Sequence, residues 1–402
     1  MNPTTEPSRS YVRLAPGDPA PWFNQRSTSN PSYAFDTAAG RYIVLCFFAS
    51  AGDPVGRAAM QSVLAHRQQF DDVRLSFFGV SLDPGDETEG RVHESLPGIR
   101  FFWDSNGTVS RLYGALPKAA ERSKTPVPAR RFWIVLDPTL RVLLVVPFAS
   151  DGSDAATLFG YLDRLPPPER FAGVEVQAPI LYLPNVFEQE FCRHLVGVYQ
   201  AHGGEESGFM RDVGGKTVML QNPTHKRRRD YIIEDPELIR QTQIRVLRRI
   251  YPEILKVYSF NATRMERYII ACYSAEDNAH FRAHRDNTTK GTAHRRFAVS
   301  INLNSEFEGG EVSFPEYGPR SFKPRRAARS SFPVRCCTLS RRSRAGAATH
   351  FCRFCMTTRP PRFARPITNS SVKASRRTEQ VKRRSDTAEW DDRASNVHLG
   401  QR

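Results

Sequence analysis

The residues best suited to chemistry in this chain are His284-Arg285-Asp286. On a β-strand, side chains two residues apart point to the same side, so the imidazole and the carboxylate would face one point. Such a pair can bind one divalent metal ion, and it supplies two of the three ligands of a two-His-one-carboxylate iron site. The H-x-D spacing is a weak signal by itself, and the simpler interpretation is an ion pair on a strand.

The elements around this pair support the metal interpretation. Asp235-Pro236 predicts the start of a long helix, with a kink at Pro252. Short apolar or alternating segments separated by turns, with Gly309-Gly310 in one of the turns, predict a sandwich or a double-stranded β-helix of the jelly-roll type. The predicted strands are residues 180–187, 267–273, 281–286, 297–303 and 311–314.

Residues 268–324 resemble the catalytic core of prolyl 4-hydroxylase-type Fe(II)/2-oxoglutarate dioxygenases, and with the preceding helices the resemblance extends back to residue 180. The resemblance implies an α+β jelly-roll domain that hydroxylates a C–H bond with Fe(II), O2 and 2-oxoglutarate, and with ascorbate as a further cofactor. It makes His284 and Asp286 iron ligands. Tyr273 becomes a hydrogen-bond donor to the distal carboxylate of 2-oxoglutarate. The substrate, a small molecule or a peptide, is not readable.

The second half of such a site is missing from the sequence. The family places a second His, and then an Arg or Lys that binds the cosubstrate, on apolar strands downstream of the acid. After Pro324 the chain is rich in Arg, Ser and Cys, and we expect a largely irregular tail. His350 follows the acid at a suitable distance, but no apolar run precedes it.

A slip of the reading frame by one base near Pro324 explains this break. If the last base of each codon is read with the first two bases of the next, Cys337-Thr338 yields His or Tyr, and Gly346-Ala347 permits Arg. The competing interpretations are a zinc site and a disordered nucleic-acid-binding arm. The zinc ligands would be Cys336, Cys337, Cys352 and Cys355.

The N-terminal half alternates strands and helices and predicts an α/β domain. Strands are expected at residues 41–48 and 75–82, a helix at 55–70, a hairpin at 131–148, and a helix capped by Ser153 or Asp154. This half resembles peroxiredoxins of the thioredoxin fold through residues 16–23, 42–48 and 131–138.

The position that matches the peroxidatic cysteine of peroxiredoxins is Gly56. Cys46 lies inside an apolar strand, where a cysteine behaves as a small inert hydrophobe. We therefore expect a redoxin-like domain that has lost its peroxidase chemistry. A thiol peroxidase that uses Cys46 is a minor alternative.

The domain limits follow from composition. We assign residues 1–165 to the redoxin-like domain, 166–179 to a Pro-rich linker, 180–324 to an incomplete dioxygenase-like domain, and 325–402 to a basic tail. The whole resembles bacterial fusions of a redoxin-like domain with a 2-oxoglutarate oxygenase domain.

The net charge of +16 comes mostly from the tail, which holds 19 Lys and Arg and 5 Asp and Glu within residues 325–402. No acidic residue occurs between Glu316 and Glu379. Since the body is nearly neutral, nucleic acid is not the expected partner. The basic run 226–229 is expected to be a solvated loop. Seven cysteines without a disulfide pattern, no apolar run of membrane-spanning length and no signal peptide indicate a cytoplasmic protein with no membrane association.

The leading hypothesis is therefore a dioxygenase that is impaired in this chain, because the distal His and the basic anchor are absent. The alternative is a non-catalytic binding or scaffold protein with degenerate redoxin and oxygenase domains.

Overall fold

The computed structural model describes residues 10–118 and 129–323, together with the backbone of six short strands between residues 329 and 366. The chain forms two compact units, one built from Met1–Ala178 and the other from Pro179–Val312, with shorter later segments divided between them. No helix in the described part of the chain has both the length and the apolar character needed to cross a bilayer.

The first unit is built on a five-stranded sheet with helices along the chain between its strands. Its elements are β1 Tyr42–Ala49, α1 Pro54–Ala65, β2 Leu75–Ser81, α2 Pro84–Thr88, β3 Ile99–Trp103, α3 Thr108–Tyr113, β4 Phe132–Leu136, β5 Val142–Pro147 and α4 Ser153–Leu162. The strand order is β3-β2-β1-β4-β5. Strands β1 to β3 run parallel, and β4 and β5 are antiparallel to their neighbours.

The central strand β1 explains why the sequence reads as a continuous apolar run. Its even-numbered side chains, such as Val44 and Phe48, pack into one hydrophobic cluster, and its odd-numbered ones, such as Leu45 and Phe47, pack into another. Both faces of the sheet are therefore covered, as in parallel sheets generally. The predicted strands and the hairpin of this half are confirmed to within two residues.

One detail of this half was predicted wrongly. Helix α4 is preceded by Gly152 and has no side-chain cap. The Asp154 carboxylate instead accepts a hydrogen bond from the indole nitrogen of Trp133 at 2.7 Å and one from the amide of Ala149 at 3.2 Å. Because the buried indole N–H of Trp133 needs an acceptor, the Asp154 carboxylate binds it and does not cap the helix.

The second unit combines three helices with antiparallel strands. Up to residue 302 its elements are β6 Leu181–Leu183, α5 Gln189–His202, β7 Glu205–Glu206, β8 Phe209–Val213, β9 Lys216–Leu220, β10 Lys226–Arg227, β11 Arg229–Ile232, α6 Pro236–Arg249, α7 Tyr251–Tyr258, β12 Arg264–Met265, β13 Ile269–Ser274, β14 His280–His284 and β15 Phe297–Asn302. The break between α6 and α7 at Ile250 confirms the kink expected near Pro252.

The remaining strands of the chain are short, and several were not predicted. They are β16 Glu308–Gly309, β17 Val312–Ser313, β18 Ser321–Phe322, β19 Arg329–Pro333, β20 Thr338–Ser340, β21 Ser343–Ala345, β22 Ala347–Cys352, β23 Met356–Thr357 and β24 Arg365–Pro366. Six of them lie after Pro324, so the prediction of a largely irregular tail is wrong for these segments. These strands form through backbone pairing with other strands, although their side chains do not alternate between apolar and polar.

The larger sheet of this unit has ten strands, eight of them in the order β24-β12-β23-β15-β22-β13-β11-β7. Strand β19 also pairs with β15, and β6 pairs with β19. Strand β22 lies between β13 and β15, and its His350 stands opposite Ala271 and Asn302 in the register. The jelly-roll assignment of this unit stays a prediction.

Candidate functional site

The H-x-D pair lies at the end of strand β14, with His284 as the last strand residue and Asp286 two residues beyond it. The expectation that one strand carries both residues is therefore wrong for Asp286. The two groups meet nevertheless, with 3.5 Å between Nε2 of His284 and Oδ1 of Asp286. His284 is only 9% exposed and Asp286 only 8%.

The orientation of the His284 ring is set by two contacts. Nδ1 lies 2.7 Å from the carbonyl oxygen of Arg282, which can only accept, so Nδ1 carries the proton. The ring also stacks on Phe281, with 3.5 Å between ring centroids. These contacts direct Nε2 towards Asp286. In metal sites, a carbonyl that accepts from one ring nitrogen orients the other nitrogen towards the metal in the same way.

A buried ion pair holds the loop that carries Asp286. Arg295 donates one hydrogen bond from Nε and one from Nη2 to the carboxylate of Glu266, at 2.7 and 2.9 Å. Its Nη1 donates to the backbone carbonyl of Asp286 at 3.4 Å. Burial alone would raise the pKa of Glu266, but Arg295 outweighs burial and lowers the pKa, so the pair is ionised.

His284, Asp286 and Arg295 line a cavity of about 590 Å³ in the second unit. Phe209, Met210 and Met219 of the β8–β9 hairpin form part of its wall. The size is typical of a site for a small ligand or for a segment of a peptide.

The hairpin is fastened to the loop that follows Asp286. The amide of Lys290 donates to Asp212 at 3.1 Å, and the amide of Gly291 donates to Thr217 at 2.8 Å. Since Asp212 and Thr217 flank the hairpin turn, these two hydrogen bonds connect the wall of the cavity to the loop that carries Asp286.

Tyr273 contacts the cavity wall through Arg228. It is 5% exposed on β13, and it is not among the residues that line the cavity. Its hydroxyl accepts a hydrogen bond from Nη1 of Arg228 at 3.4 Å, and Arg228 does line the cavity. The predicted contact of Tyr273 with 2-oxoglutarate stays a prediction.

The basic run 226–229 is not the solvated loop that was predicted. Lys226 is 7% exposed and Arg228 is 3% exposed, and both line the cavity. Side chains alternate along strands β10 and β11, so the even-numbered residues turn inward while Arg229 is exposed. Four consecutive basic residues show no alternation of residue type, so the sequence alone could not indicate which of them are buried.

The neighbouring histidines His280 and His294 do not join the pair. Both ring nitrogens of His280 lie near carbonyl oxygens, 2.8 Å from that of Asn278 and 3.2 Å from that of Thr224. Nε2 of His294 lies 4.0 Å from Glu266. Among the residues that the structure describes, no group of three or more His, Cys, Asp or Glu side chains is arranged to hold a metal ion.

The structure describes only strand backbones after Pro324, where the family would place its third ligand and its basic anchor and where the alternative zinc ligands lie. Cys336, Cys337 and Cys355 lie outside the described residues.

Gly56, the position that matches the peroxidatic cysteine of the resembling family, cannot hold a side chain in this fold. A Cβ atom at Gly56 would lie 1.8 Å from the carbonyl oxygen of Ser50, so the backbone leaves no room for a side chain. The nearby Arg131 is bound by Asp53, with nitrogen–oxygen distances of 3.0 and 2.5 Å, and Asp53 also caps α1 through the amide of Gly56. Cys46 is fully buried, and burial raises the pKa of its thiol well above the usual range. The reactive thiolate is therefore disfavoured at Cys46.

Solved structures similar to parts of this chain include prolyl hydroxylases and a peroxidoxin. A viral collagen prolyl hydroxylase from Paramecium bursaria Chlorella virus-1, solved as a 2OG complex, is 13% identical, with a TM-score of 0.33 over 44% of this chain and 96% of that one. A Pseudomonas putida prolyl-4-hydroxylase is 12% identical, with a TM-score of 0.36 over 46% of this chain and 95% of that one. The peroxidoxin BcpB from Mycobacterium tuberculosis is 21% identical, with a TM-score of 0.32 over 38% of this chain and 99% of that one.

No curated protein matches the chain. Residues 16–142 match the model of the AhpC/TSA family. With the sheet order of the first unit, this match gives the N-terminal half of the chain a thioredoxin-like fold of the AhpC/TSA type.

Proposed function

We propose that the second unit descends from an Fe(II)/2-oxoglutarate-dependent dioxygenase of the prolyl 4-hydroxylase type, and that it is impaired in this chain. The observation that carries the proposal is the pair of His284 Nε2 and Asp286 Oδ1, 3.5 Å apart on the wall of a cavity. Nitrogen and carboxylate donors in this combination suit iron.

The donor set fits half of an iron site. His284 and Asp286 would hold the metal, and bound iron would supply the activation of O2 for oxidation of a C–H bond. The chain's own contribution is to orient the donors, through the Arg282 carbonyl and the Arg295–Glu266 pair, and to exclude water by burial. Two ligands hold a metal weakly, which is why activity is expected to be low.

The test is metal binding and turnover in three proteins: the chain as it stands, a His284→Ala variant, and a chain whose sequence after Pro324 is restored in the shifted frame. The His280→Ala variant is the matched control, because it removes a histidine from the same strand. We expect weak Fe(II) binding that His284→Ala abolishes and His280→Ala retains, and iron-dependent 2-oxoglutarate consumption in the frame-restored chain. Absence of such consumption in that chain would refute the proposal.

A non-catalytic binding protein is the second candidate. It is favoured by the closed position at Gly56 and by the lack of a third ligand among the described residues. In that case His284→Ala leaves every measurable function of the chain unchanged, whereas an oxygenase loses its turnover.

A further inference from the structure

Two methionines face each other across the β8–β9 hairpin. Met210 and Met219 are partners in the antiparallel register, so their side chains lie on one face of the hairpin, with Cβ atoms about 5 Å apart. Both line the cavity of the second unit. Met210 is 37% exposed and Met219 is 63% exposed. This methionine pair therefore presents two thioether side chains to solvent at the edge of the cavity.

The other methionines whose side chains the structure describes are buried. Met60 is 7% exposed and Met265 is 1% exposed, and each lies in a hydrophobic cluster. A peroxide has to reach the sulfur atom to oxidise it, so burial protects a thioether. The described part of the chain thus holds two accessible and two protected methionines, which can be compared within one sample.

The described cysteines are poor competitors for an oxidant. Cys46 and Cys192 are fully buried, and Cys272 is partly buried. Burial raises the pKa of the Cys46 thiol and that of the Cys272 thiol. Since the thiolate is the reactive form, these thiols react slowly. Within the described residues, the methionine pair is therefore the sulfur group most open to a peroxide.

The hairpin that carries the methionine pair depends on contacts between its two strands. Strands β8 and β9 pair with each other in a two-stranded sheet. Such hairpins are marginally stable in water, so side chains that face each other contribute a large share of the stability. Asp212 and Thr217 lie two residues further along the same face, and they accept the hydrogen bonds from the loop that carries Asp286. A change at the methionine pair therefore acts next to that attachment.

Oxidation would change the chemical character of the pair. Methionine sulfoxide is polar, whereas the thioether is apolar and a weak hydrogen-bond acceptor. Two sulfoxides that face each other gain more from contact with water than from contact with each other. The apolar contact between the two strands is then lost.

We propose that the methionine pair is a site of reversible oxidation by hydrogen peroxide, and that its oxidation loosens the β8–β9 wall of the cavity. The thioether sulfur attacks one peroxide oxygen, the O–O bond breaks and an S–O bond forms. The sulfur gives up two electrons, and the second oxygen leaves as water with both protons. Methionine sulfoxide reductases reverse the change, with two thiols supplying the electrons and becoming a disulfide. The proposal needs no iron and does not depend on the proposed function.

The first test follows sulfoxide formation at each methionine by peptide mass spectrometry while the folded full chain is treated with hydrogen peroxide. We expect Met210 and Met219 to be oxidised at least about tenfold faster than Met60 and Met265, with Met219 the fastest. Denaturant should remove the difference, and methionine sulfoxide reductases of both stereospecificities should restore the thioethers. Equal rates at all four positions in the folded chain would overturn the proposal.

The second test measures the loosening by limited digestion with trypsin, which can cut after Arg211 and Lys216 within the hairpin. Loss of one cross-strand contact raises the open fraction of the hairpin by about two- to fivefold, and cleavage at these two positions should accelerate by the same factor. Cleavage after Lys256, an exposed residue of α7, should not change.

The matched control is the double variant Met210→Leu and Met219→Leu, which keeps an apolar contact and cannot be oxidised at these positions. Peroxide should leave its hairpin cleavage unchanged. If both methionines are fully oxidised and the hairpin is cut no faster, oxidation does not loosen the wall. If peroxide accelerates the cleavage equally in the double variant, the effect does not come from the methionine pair.

Discussion

Replacement of Gly56 by Ala should destabilise the first unit, although Gly→Ala in a helix usually stabilises. Gly56 is buried in the first turn of α1, and an added Cβ would lie 1.8 Å from the carbonyl oxygen of Ser50 and 3.3 Å from that of Phe48. Carbon atoms make favourable contact with neighbours at about 3.5 Å or more. The obstructing atoms are backbone, so either the helix start or the Ser50 peptide has to move by more than about 1.5 Å.

The cost can be worked from the contacts that such a movement breaks. Asp53 caps the helix through the Gly56 amide at 2.9 Å, and Arg131 holds Asp53 in place. Loss of a cap costs about 1 kcal/mol, and forced displacement in a packed region costs about 1–3 kcal/mol. The entropic gain of Ala over Gly is roughly 0.5–1 kcal/mol. We expect a net loss of about 2 kcal/mol in the free energy of unfolding, or roughly 4–8 °C in melting temperature.

The assay is thermal unfolding of the full chain followed by tryptophan fluorescence. Three of the four tryptophans, Trp22, Trp103 and Trp133, belong to the first unit. The matched control is Gly160→Ala in α4, where an added Cβ meets only the end of the flexible Arg164 side chain at 3.8 Å, and which should be neutral or slightly stabilising. A Gly56→Ala protein as stable as the wild type would refute the reasoning, and so would a Gly56→Cys protein that consumes peroxide.

Two further predictions concern ion pairs. Burial alone would raise the pKa of Asp72, but the two hydrogen bonds from Arg100 outweigh it and lower the pKa to about 2. Because solvent partly screens this pair, it should contribute at most about 1 kcal/mol to stability above pH 4. That contribution is lost as the pH falls towards 2, and Arg100→Met should flatten this part of the pH–stability curve. Glu266→Gln should cost about 3 kcal/mol in the free energy of unfolding, because it removes the counter-charge of the buried Arg295. Glu237→Gln, in an exposed pair, should change stability far less, and equal losses in the two variants would contradict the argument.

The sequence predicted the elements best where burial acts along the chain. Strand β1 is apolar on both faces, so its eight residues could be recognised without tertiary information. The end of β14 was missed, because nothing in His284-Arg285-Asp286 shows that the strand stops before the acid. The pair still meets, since Arg295 from beyond the loop holds the Asp286 carbonyl.

The inner charges of the cavity could not be predicted from local pattern. Lys226 and Arg228 are buried because Ser207 and Asp230 satisfy them, and Ser207 comes from a different segment of the chain. The absence of a cysteine at position 56 was visible in the sequence. The close approach of the Ser50 carbonyl to Gly56 could not be predicted, because it depends on how the loop folds back on the helix.

The two incomplete sites of this chain differ in physical kind, and the difference bears on what restoration would require. At Gly56 the backbone itself occupies the place of a side chain, so a substitution alone restores nothing and the loop from Ser50 has to be rebuilt. At the H-x-D pair the donors converge, and the backbone of β22 already runs between β13 and β15, with His350 opposite Ala271 and Asn302. Completing this pair requires different side chains on strands whose backbones already pair. Under the proposed function, a changed C-terminal sequence can therefore complete the site at His284 and Asp286, whereas a substitution at Gly56 cannot restore a thiol site.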